Sequence, residues 1–302
     1  MSTEGSSKAI FAALLANVGI AATKFVAAGV SGSASMLAEG IHSFADSGNQ
    51  VLLLIGGRRS RKEATESHPF GYGRQRYIYA FIVSIVLFSV GGLFSIYEGL
   101  SKLTEHHELE MPALPLIVLG VSIVLESFSL RTALAEAKKE RGSQSLAKFI
   151  RHAKSPELPI VMLEDIAALV GLVLAFAGVG LTVITGDAIF DAIGTLAIGG
   201  LLVIVAIVLG IETSSLLIGE GASPEDHAKI RAALESTAGV GSIIHMKTLY
   251  LGPDEILLGA KIAVGASDTA ADVALAIDAA EAAVRAAVPA TRVIYLEPDI
   301  LR

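Results

Sequence analysis

Residues 35–57 read SMLAEGIHSFADSGNQVLLLIGG, an apolar stretch with a stripe of polar side chains. Its length suits a helix that crosses a bilayer, which needs roughly 20 mainly apolar residues. Ionisable side chains are costly at membrane depth and usually persist there because a cation, a proton or a partner uses them. His42, Asp46 and Asn49 are therefore candidates for function.

Five further apolar windows surround this stretch. In a chain of 302 residues, 53% of them hydrophobic, we predict spans at about 9–31, 35–57, 78–100, 112–134, 158–182 and 188–211. The remainder is charged and mixed. The sequence therefore predicts a six-helix transmembrane domain over 1–211, in contact with membrane lipid, and a separate C-terminal domain over 212–302.

Positive charge is concentrated in the loops after the second and fourth spans. These loops contain Arg58, Arg59, Arg61, Lys62, Arg74 and Arg76, and Lys138, Lys139, Arg141, Lys148, Arg151 and Lys154. Because cytoplasmic loops carry the excess of lysine and arginine, both termini are expected in the cytoplasm. The chain is thus predicted to be a multi-pass integral membrane protein. We expect the cell (inner) membrane, but the same charge pattern also fits an organelle membrane, with the termini in the equivalent compartment.

The C-terminal domain has the pattern of a small α+β fold. Ser223 and Pro224 predict a helix start, since a hydroxyl caps the helix and proline suits its first position. Strands at about 243–250 and 256–264 flank a Gly-Pro-Asp turn, a helix covers Thr269–Val288 and a last strand covers Arg292–Leu296. The order αββαβ predicts two layers.

Composition excludes several classes of function. The net charge of -7 argues against a nucleic-acid partner, because binding DNA requires a basic surface. The absence of cysteine excludes disulfides and thiolate ligands. We expect no resident cofactor.

The polar residues of the second span share one face of a helix. Asp46 lies about 40° round from His42, and Asn49 about 20° the other way. An imidazole and a carboxylate four residues apart can close on one divalent ion. The alternative is a buried His–Asp hydrogen bond with a purely structural role.

The fifth span contains two adjacent acids, Glu164 and Asp165, which diverge by about 100°. At 1.5 Å per residue, Asp46 lies about 17 Å from the end of its span near Gly57, and Asp165 about 12 Å from Glu157. Similar depth is what a shared site requires. Two buried acids without a cation would repel each other and favour proton uptake.

Oxygen and imidazole ligands without sulfur suit Zn²⁺, Mn²⁺, Co²⁺ or Fe²⁺. Because such ligands must lose their protons to bind a metal, metal arrival releases protons and proton arrival releases metal. The sequence therefore predicts a site that can exchange a divalent metal for protons.

Three features together resemble the cation diffusion facilitator family. They are SASMLAEGIHSFAD at 33–46, HPFGYGR at 68–74, and six spans followed by an αββαβ tail. LEDIAAL at 163–169 looks like the branch that contains zinc transporter 9. The resemblance implies a homodimer with ferredoxin-like cytoplasmic domains, which exports a divalent metal, Zn²⁺ above all, against protons.

The resemblance also implies two ligand pairs, one on the second span and one on the fifth. His42 and Asp46 match the first pair, and Asp165 matches the last ligand of the second. The remaining position is Val161, which cannot bind metal. Glu164 and Asp165 lie about 60° and 40° to either side of it, so we hypothesise that Glu164 replaces the missing ligand. This substitution would favour harder ions such as Mn²⁺. Asn49 is the next candidate metal ligand after Glu164.

Two alternatives belong to other classes of protein. A membrane metalloenzyme would need a metal that activates water and a base beside it, but the sequence has no His-Glu-x-x-His helix. A membrane metal-binding sensor or scaffold would bind the ion without moving it. We therefore predict a transporter and not an enzyme.

Overall fold

A computed structural model describes residues 3–104, 113–141 and 145–300. The chain divides into two units, one formed by residues 1–56 and 78–213 and the other by residues 57–77 and 214–302. The predicted boundary at 211–212 lies two residues from this division. The segment 57–77 groups with the second unit, whereas the predicted domain 1–211 includes it.

The first unit is helical. Its elements are α1 (Thr3–Ser31), α2 (Ala34–Arg59), α3 (Gln75–Val86), a π-helical segment (Leu87–Leu93), α4 (Phe94–Thr104), α5 (Ala113–Arg141), α6 (Leu146–His152), α7 (Glu157–Thr185) and α8 (Ile189–Ile218). The start of the predicted span 112–134 lies outside the described residues. The short helix α6 was not predicted.

Within the described ranges, four helical stretches are long and apolar enough to cross a membrane. They are Gln75–Thr104, Ala113–Ala135, Glu157–Thr185 and Ile189–Ile218. Helix α2 lies outside this set, and its sequence contains the polar stripe of His42, Asp46 and Asn49. A multi-pass helical membrane domain is therefore established.

Glycines allow close packing of α8 against its neighbours. A Cβ on Gly178 of α7 would lie 2.8 Å from the Phe190 carbonyl oxygen, and one on Gly199 would lie 2.8 Å from the Ile96 nitrogen. Small residues permit this approach between membrane helices. The core of this unit includes the fully buried Met36, Leu87, Leu119, Ile160, Leu172, Ile198 and Leu202.

The C-terminal unit has the predicted element order. Helix α9 (Pro224–Glu235) precedes β1 (Ile243–Gly252) and β2 (Glu255–Ala263), and α10 (Ala270–Ala287) precedes β3 (Thr291–Asp299). The strands lie in the order β1-β2-β3, with the first pair antiparallel and the second parallel. Alternate β2 side chains (Ile256, Leu258, Ala260 and Ile262) are buried in the core with residues of α9 and α10.

The loop 57–77 belongs to this unit because it contacts the turn between β1 and β2. A Cβ on Gly73 would lie 2.7 Å from the Leu251 carbonyl oxygen, so only glycine fits there. The Arg76 guanidinium lies 3.3 Å from the Asp254 carboxylate. The sequence suggested neither contact.

Candidate functional site

In the polar stripe of α2, His42 and Asn49 are buried, Asp46 is partly exposed, and the polar groups are only partly bonded. His42 is 1% exposed, and its Nδ1 lies 3.5 Å from the Asp46 Oδ1. Among the described residues, neither ring nitrogen has a hydrogen-bond partner, and neither does the Asp46 Oδ1. The two groups thus lie within ion-pair distance of each other without forming a hydrogen bond. Both groups keep lone pairs that a cation can use.

Helices α2 and α7 are joined at this level by one hydrogen bond. The Asn49 side-chain amide donates to the Glu164 Oε1 over 2.7 Å, and both residues are buried. Asn49 lies about 12 Å from Gly57 along α2, and Glu164 about 10.5 Å from Glu157 along α7. The two predicted clusters therefore lie at the same depth, with Asn49 and Glu164 in direct contact.

Asp165 points to a different neighbour. The Ser129 hydroxyl of α5 donates to its Oδ2 over 3.2 Å. The adjacent acids therefore diverge, one toward α2 and one toward α5. The sequence analysis did not single out Ser129, whose position on α5 had no periodic or motif signal.

Charged side chains of α1, α5 and α7 act electrostatically on Asp46. Its carboxylate interacts with Glu164, Glu126, Lys24 and Asp165. In the part of the chain that the structure describes, no three His, Cys, Asp or Glu side chains are close enough together to hold a metal ion. Asn49 and Ser129 bond the two acids of α7, and these two acids would have to turn to share one ligand.

Two buried acids outside the predicted ligand set also have defined contacts. Glu39, inside the quoted motif, pairs with Lys24 of α1, with 3.1 Å between Oε2 and Nζ. Asp191 of α8 accepts from the backbone nitrogen atoms of Ala34 and Ser35 at the start of α2, at 2.7 and 3.2 Å. In the sequence, the signal for the Lys24–Glu39 contact is a lysine inside the first apolar stretch, next to a span that contains acidic residues. No sequence pattern indicated the second.

Two histidines outside the membrane unit have local structural contacts. His68 accepts or donates a hydrogen bond with the Ser67 hydroxyl at 3.0 Å, and its ring stacks on Tyr72 with centroids 4.6 Å apart. His245 pairs across the sheet with Lys261. Hydrogen bonds to Asp299 and Glu297 raise the pKa of Lys261, so this cation stays charged beside His245.

The buried acids and imidazole on apolar helices are typical of a membrane protein that handles cations. Residues 10–218 match the family model of the cation efflux transmembrane domain. The chain therefore belongs to the cation efflux, or cation diffusion facilitator, family. This membership confirms the predicted resemblance and the expectation of a transporter-class protein and not an enzyme.

Comparison with individual relatives indicates which branch of the family the chain resembles. The chain is 31% identical over 261 residues to the human proton-coupled zinc antiporter SLC30A9, mitochondrial, covering 86% of this chain and 46% of that protein. It is also 31% identical over 259 residues to metal tolerance protein C4 of Arabidopsis thaliana, covering 85% of this chain and 57% of that protein. The chain thus resembles the SLC30A9 branch, as predicted, and spans about half the length of these relatives.

The C-terminal unit also has a structural match. It resembles the C-terminal domain of MamM in a nickel form, with a TM-score of 0.25, 21% identity, and coverage of 26% of this chain and 100% of that domain.

Proposed function

We propose that the chain is a secondary transporter that exports a divalent metal, most readily Zn²⁺, from the cytoplasm in exchange for protons. The observation that supports this most directly is the Asn49–Glu164 hydrogen bond of 2.7 Å, which joins α2 and α7. Near it on α2, the His42 ring nitrogens and the Asp46 Oδ1 have no hydrogen-bond partner among the described residues. Mn²⁺, Co²⁺ and Fe²⁺ are further candidates, because they accept the same oxygen and imidazole ligands.

In this proposal His42, Asp46 and Asp165 bind the metal, with Glu164 in place of the absent ligand at Val161. Asn49 holds Glu164 when no metal is bound. Metal entry displaces protons from these groups, and protons arriving from the other side displace the metal. The metal is cargo, so the protein needs no resident cofactor.

The proposed topology has six spans, with α1 and α2 completing the four strongly apolar stretches. The basic residues after α2 and α5 support cytoplasmic termini under the positive-inside rule. The functional form is a homodimer in the cell (inner) membrane, with the C-terminal domains paired in a ferredoxin-like arrangement. Cross-linking in intact cells and accessibility labelling of both termini test these points.

Reconstituted vesicles with an imposed pH gradient test the function. Wild type should take up Zn²⁺ while protons move in the opposite direction, and Asp46→Ala and Asp165→Ala should abolish both fluxes. Glu63→Ala is the matched control, because Glu63 is an exposed carboxylate in the loop 57–77. Metal binding without flux in the wild type would support the sensor alternative instead, and a competition panel of divalent ions would rank the substrates.

A further inference from the structure

A lysine is buried beside the candidate site. The Lys24 ammonium of α1 lies 3.1 Å from the Glu39 Oε2 and 2.7 Å from the Ser43 Oγ of α2. The two paired side chains are 3% and 0% exposed. Because a buried ion pair is weak evidence for stability, and intramembrane charges are usually functional, this pair requires an explanation.

The pair lies on the stripe that contains the candidate ligands. Glu39 is three residues before His42 and seven before Asp46, so it lies about 60° and 20° round the helix from them. The ammonium, bonded at the level of Glu39 and Ser43, is about one helical turn nearer the N-terminal end of α2 than the His42–Asp46 level. In the proposed topology this is the outer side of the site.

Glu39 of α2 also packs against α7 on the outer side of the site. Its second oxygen, Oε1, is buried and has no hydrogen-bond partner among the described residues. A Cβ on Gly171 of α7 would lie 2.6 Å from this oxygen, so the carboxylate packs directly against the glycine. A cation that leaves His42 and Asp46 outward would meet Glu39 as the next acidic side chain of the stripe.

We propose that Lys24 is a tethered cation that competes with the transported metal for Glu39 and so controls metal release. This inference rests on the proposed function, because it assigns the outward step to that same site. While Lys24 occupies Glu39, a dication at His42–Asp46 has a fixed positive charge on its outward side. Metal can pass only when Glu39 exchanges one cation for the other.

The charge of Lys24 should therefore weaken metal binding in the resting state. The ammonium acts electrostatically on His42 and Asp46, which is consistent with this position. Lys24→Gln leaves Glu39 free and should tighten Zn²⁺ binding about tenfold, as expected for loss of one nearby charge at low dielectric. Turnover should fall, because the freed carboxylate retains the metal. Lys24 thus acts in metal release, and its loss should give tighter binding together with slower turnover.

The test combines Zn²⁺ competition titrations of the purified full-length protein with uptake in vesicles. Lys24→Gln should lower both Kd and kcat, whereas Lys24→Arg, which keeps the charge, should retain wild-type affinity. Lys102→Gln is the matched control, because Lys102 bonds only the Gly32 carbonyl oxygen at 2.9 Å among the contacts that the structure describes. Unchanged affinity in Lys24→Gln, or equal affinities in the two Lys24 variants, would overturn the proposal.

Glu39→Gln supplies a second variant in case Lys24→Gln fails to fold. It leaves the ammonium uncompensated and should weaken Zn²⁺ binding about tenfold, the opposite sign to Lys24→Gln. A purely structural ion pair would give both variants the same loss of thermal stability and no change of affinity, which would exclude the inference. If wild type binds Zn²⁺ without flux, the transport proposal fails, while the binding titrations still decide the role of Lys24.

Discussion

The first turn of α2 and its middle contrast in how their buried polar groups are bonded. At the first turn, Asp191 accepts from the Ser33 hydroxyl at 3.0 Å and from two backbone nitrogen atoms. Ser35 donates to the Asp191 carbonyl oxygen at 3.0 Å. In the middle, both His42 nitrogens and the Asp46 Oδ1 have no hydrogen-bond partner within the described ranges.

This difference in hydrogen bonding separates a structural role from a functional one. An unsatisfied buried polar group costs about 1–3 kcal/mol, so a position with only a structural role is expected to be bonded. Asp191 meets that expectation, since it fixes the start of α2 to α8. The open groups of His42 and Asp46 impose a cost that a structural role does not explain, and a cation would relieve it.

Of the substitutions considered, Asp46→Asn in the middle of α2 should have the largest effect on transport. Removing the charge leaves the shape of the stripe intact but deprives the metal of a carboxylate ligand. Zn²⁺ uptake in vesicles should fall by at least about 100-fold, since even groups that only support a ligand cost 10–100-fold in affinity. Thermal stability in detergent should stay near wild type. Retained uptake would exclude Asp46 as a ligand.

Asp191→Asn should have the converse effect. The new amide places a donor where the backbone nitrogens of Ala34 and Ser35 already donate. We expect a loss of about 2 kcal/mol of stability, measured as a lower Tm. Zn²⁺ affinity of the folded fraction should remain at the wild-type value. Glu63→Gln, an exposed carboxylate, is the control. A loss of metal affinity without a loss of stability would reverse the assignments of the two regions.

The sequence predicted the positions of most elements well, because periodicity and capping signals are local. Ser223 accepts from the Asp226 backbone nitrogen at 3.0 Å, and Pro224 is the first residue of α9, as its local pattern indicates. The strand Thr291–Asp299 is longer at its C-terminal end than the predicted 292–296, because pairing with β2 continues to Asp299. Tertiary pairing, unlike capping, is not visible in a short window.

The sequence indicated candidate site residues but not which of them contact each other. Helical spacing indicated that Asn49 shares a face with His42 and that Glu164 diverges from Asp165, whereas the contact between Asn49 and Glu164 depends on the register between two helices. The Ser129–Asp165 contact joins α5 to α7, and the Lys24–Glu39 contact joins α1 to α2. Such contacts follow from tertiary packing, which neither periodicity nor composition encodes.

Glu164→Gln tests whether the charge of this residue on α7 matters apart from its hydrogen bond. The glutamine oxygen still accepts from Asn49, so the link between α2 and α7 remains while the negative charge is lost. If Glu164 replaces the ligand missing at Val161, Zn²⁺ affinity should fall about tenfold, at the low end for groups around a metal. Mn²⁺ should be affected more, because harder ions depend more on carboxylate oxygen. Asn49→Ala, which leaves the Glu164 charge in place, is the comparison variant. Wild-type transport by Glu164→Gln would show that the glutamate does not substitute for the ligand.

Ser129→Ala should give the smallest effect, because it removes one hydrogen bond from an acid without changing any charge. The Ser129 hydroxyl bonds the Asp165 Oδ2 at 3.2 Å and holds this carboxylate toward α5. Loss of one such bond is worth about 1 kcal/mol, or about fivefold in an equilibrium constant. If the bond holds Asp165 away from the metal, Zn²⁺ should bind about fivefold more tightly in a competition titration. If it orients Asp165 as a ligand, binding should weaken by the same factor. Ser127→Ala is the matched control, since the Ser127 hydroxyl bonds its own helix at the Ile123 carbonyl oxygen, 2.6 Å away. Tighter binding would therefore show that the hydrogen bond holds Asp165 away from the metal, and weaker binding that it orients Asp165 as a ligand. Unchanged affinity would exclude both roles of this hydrogen bond.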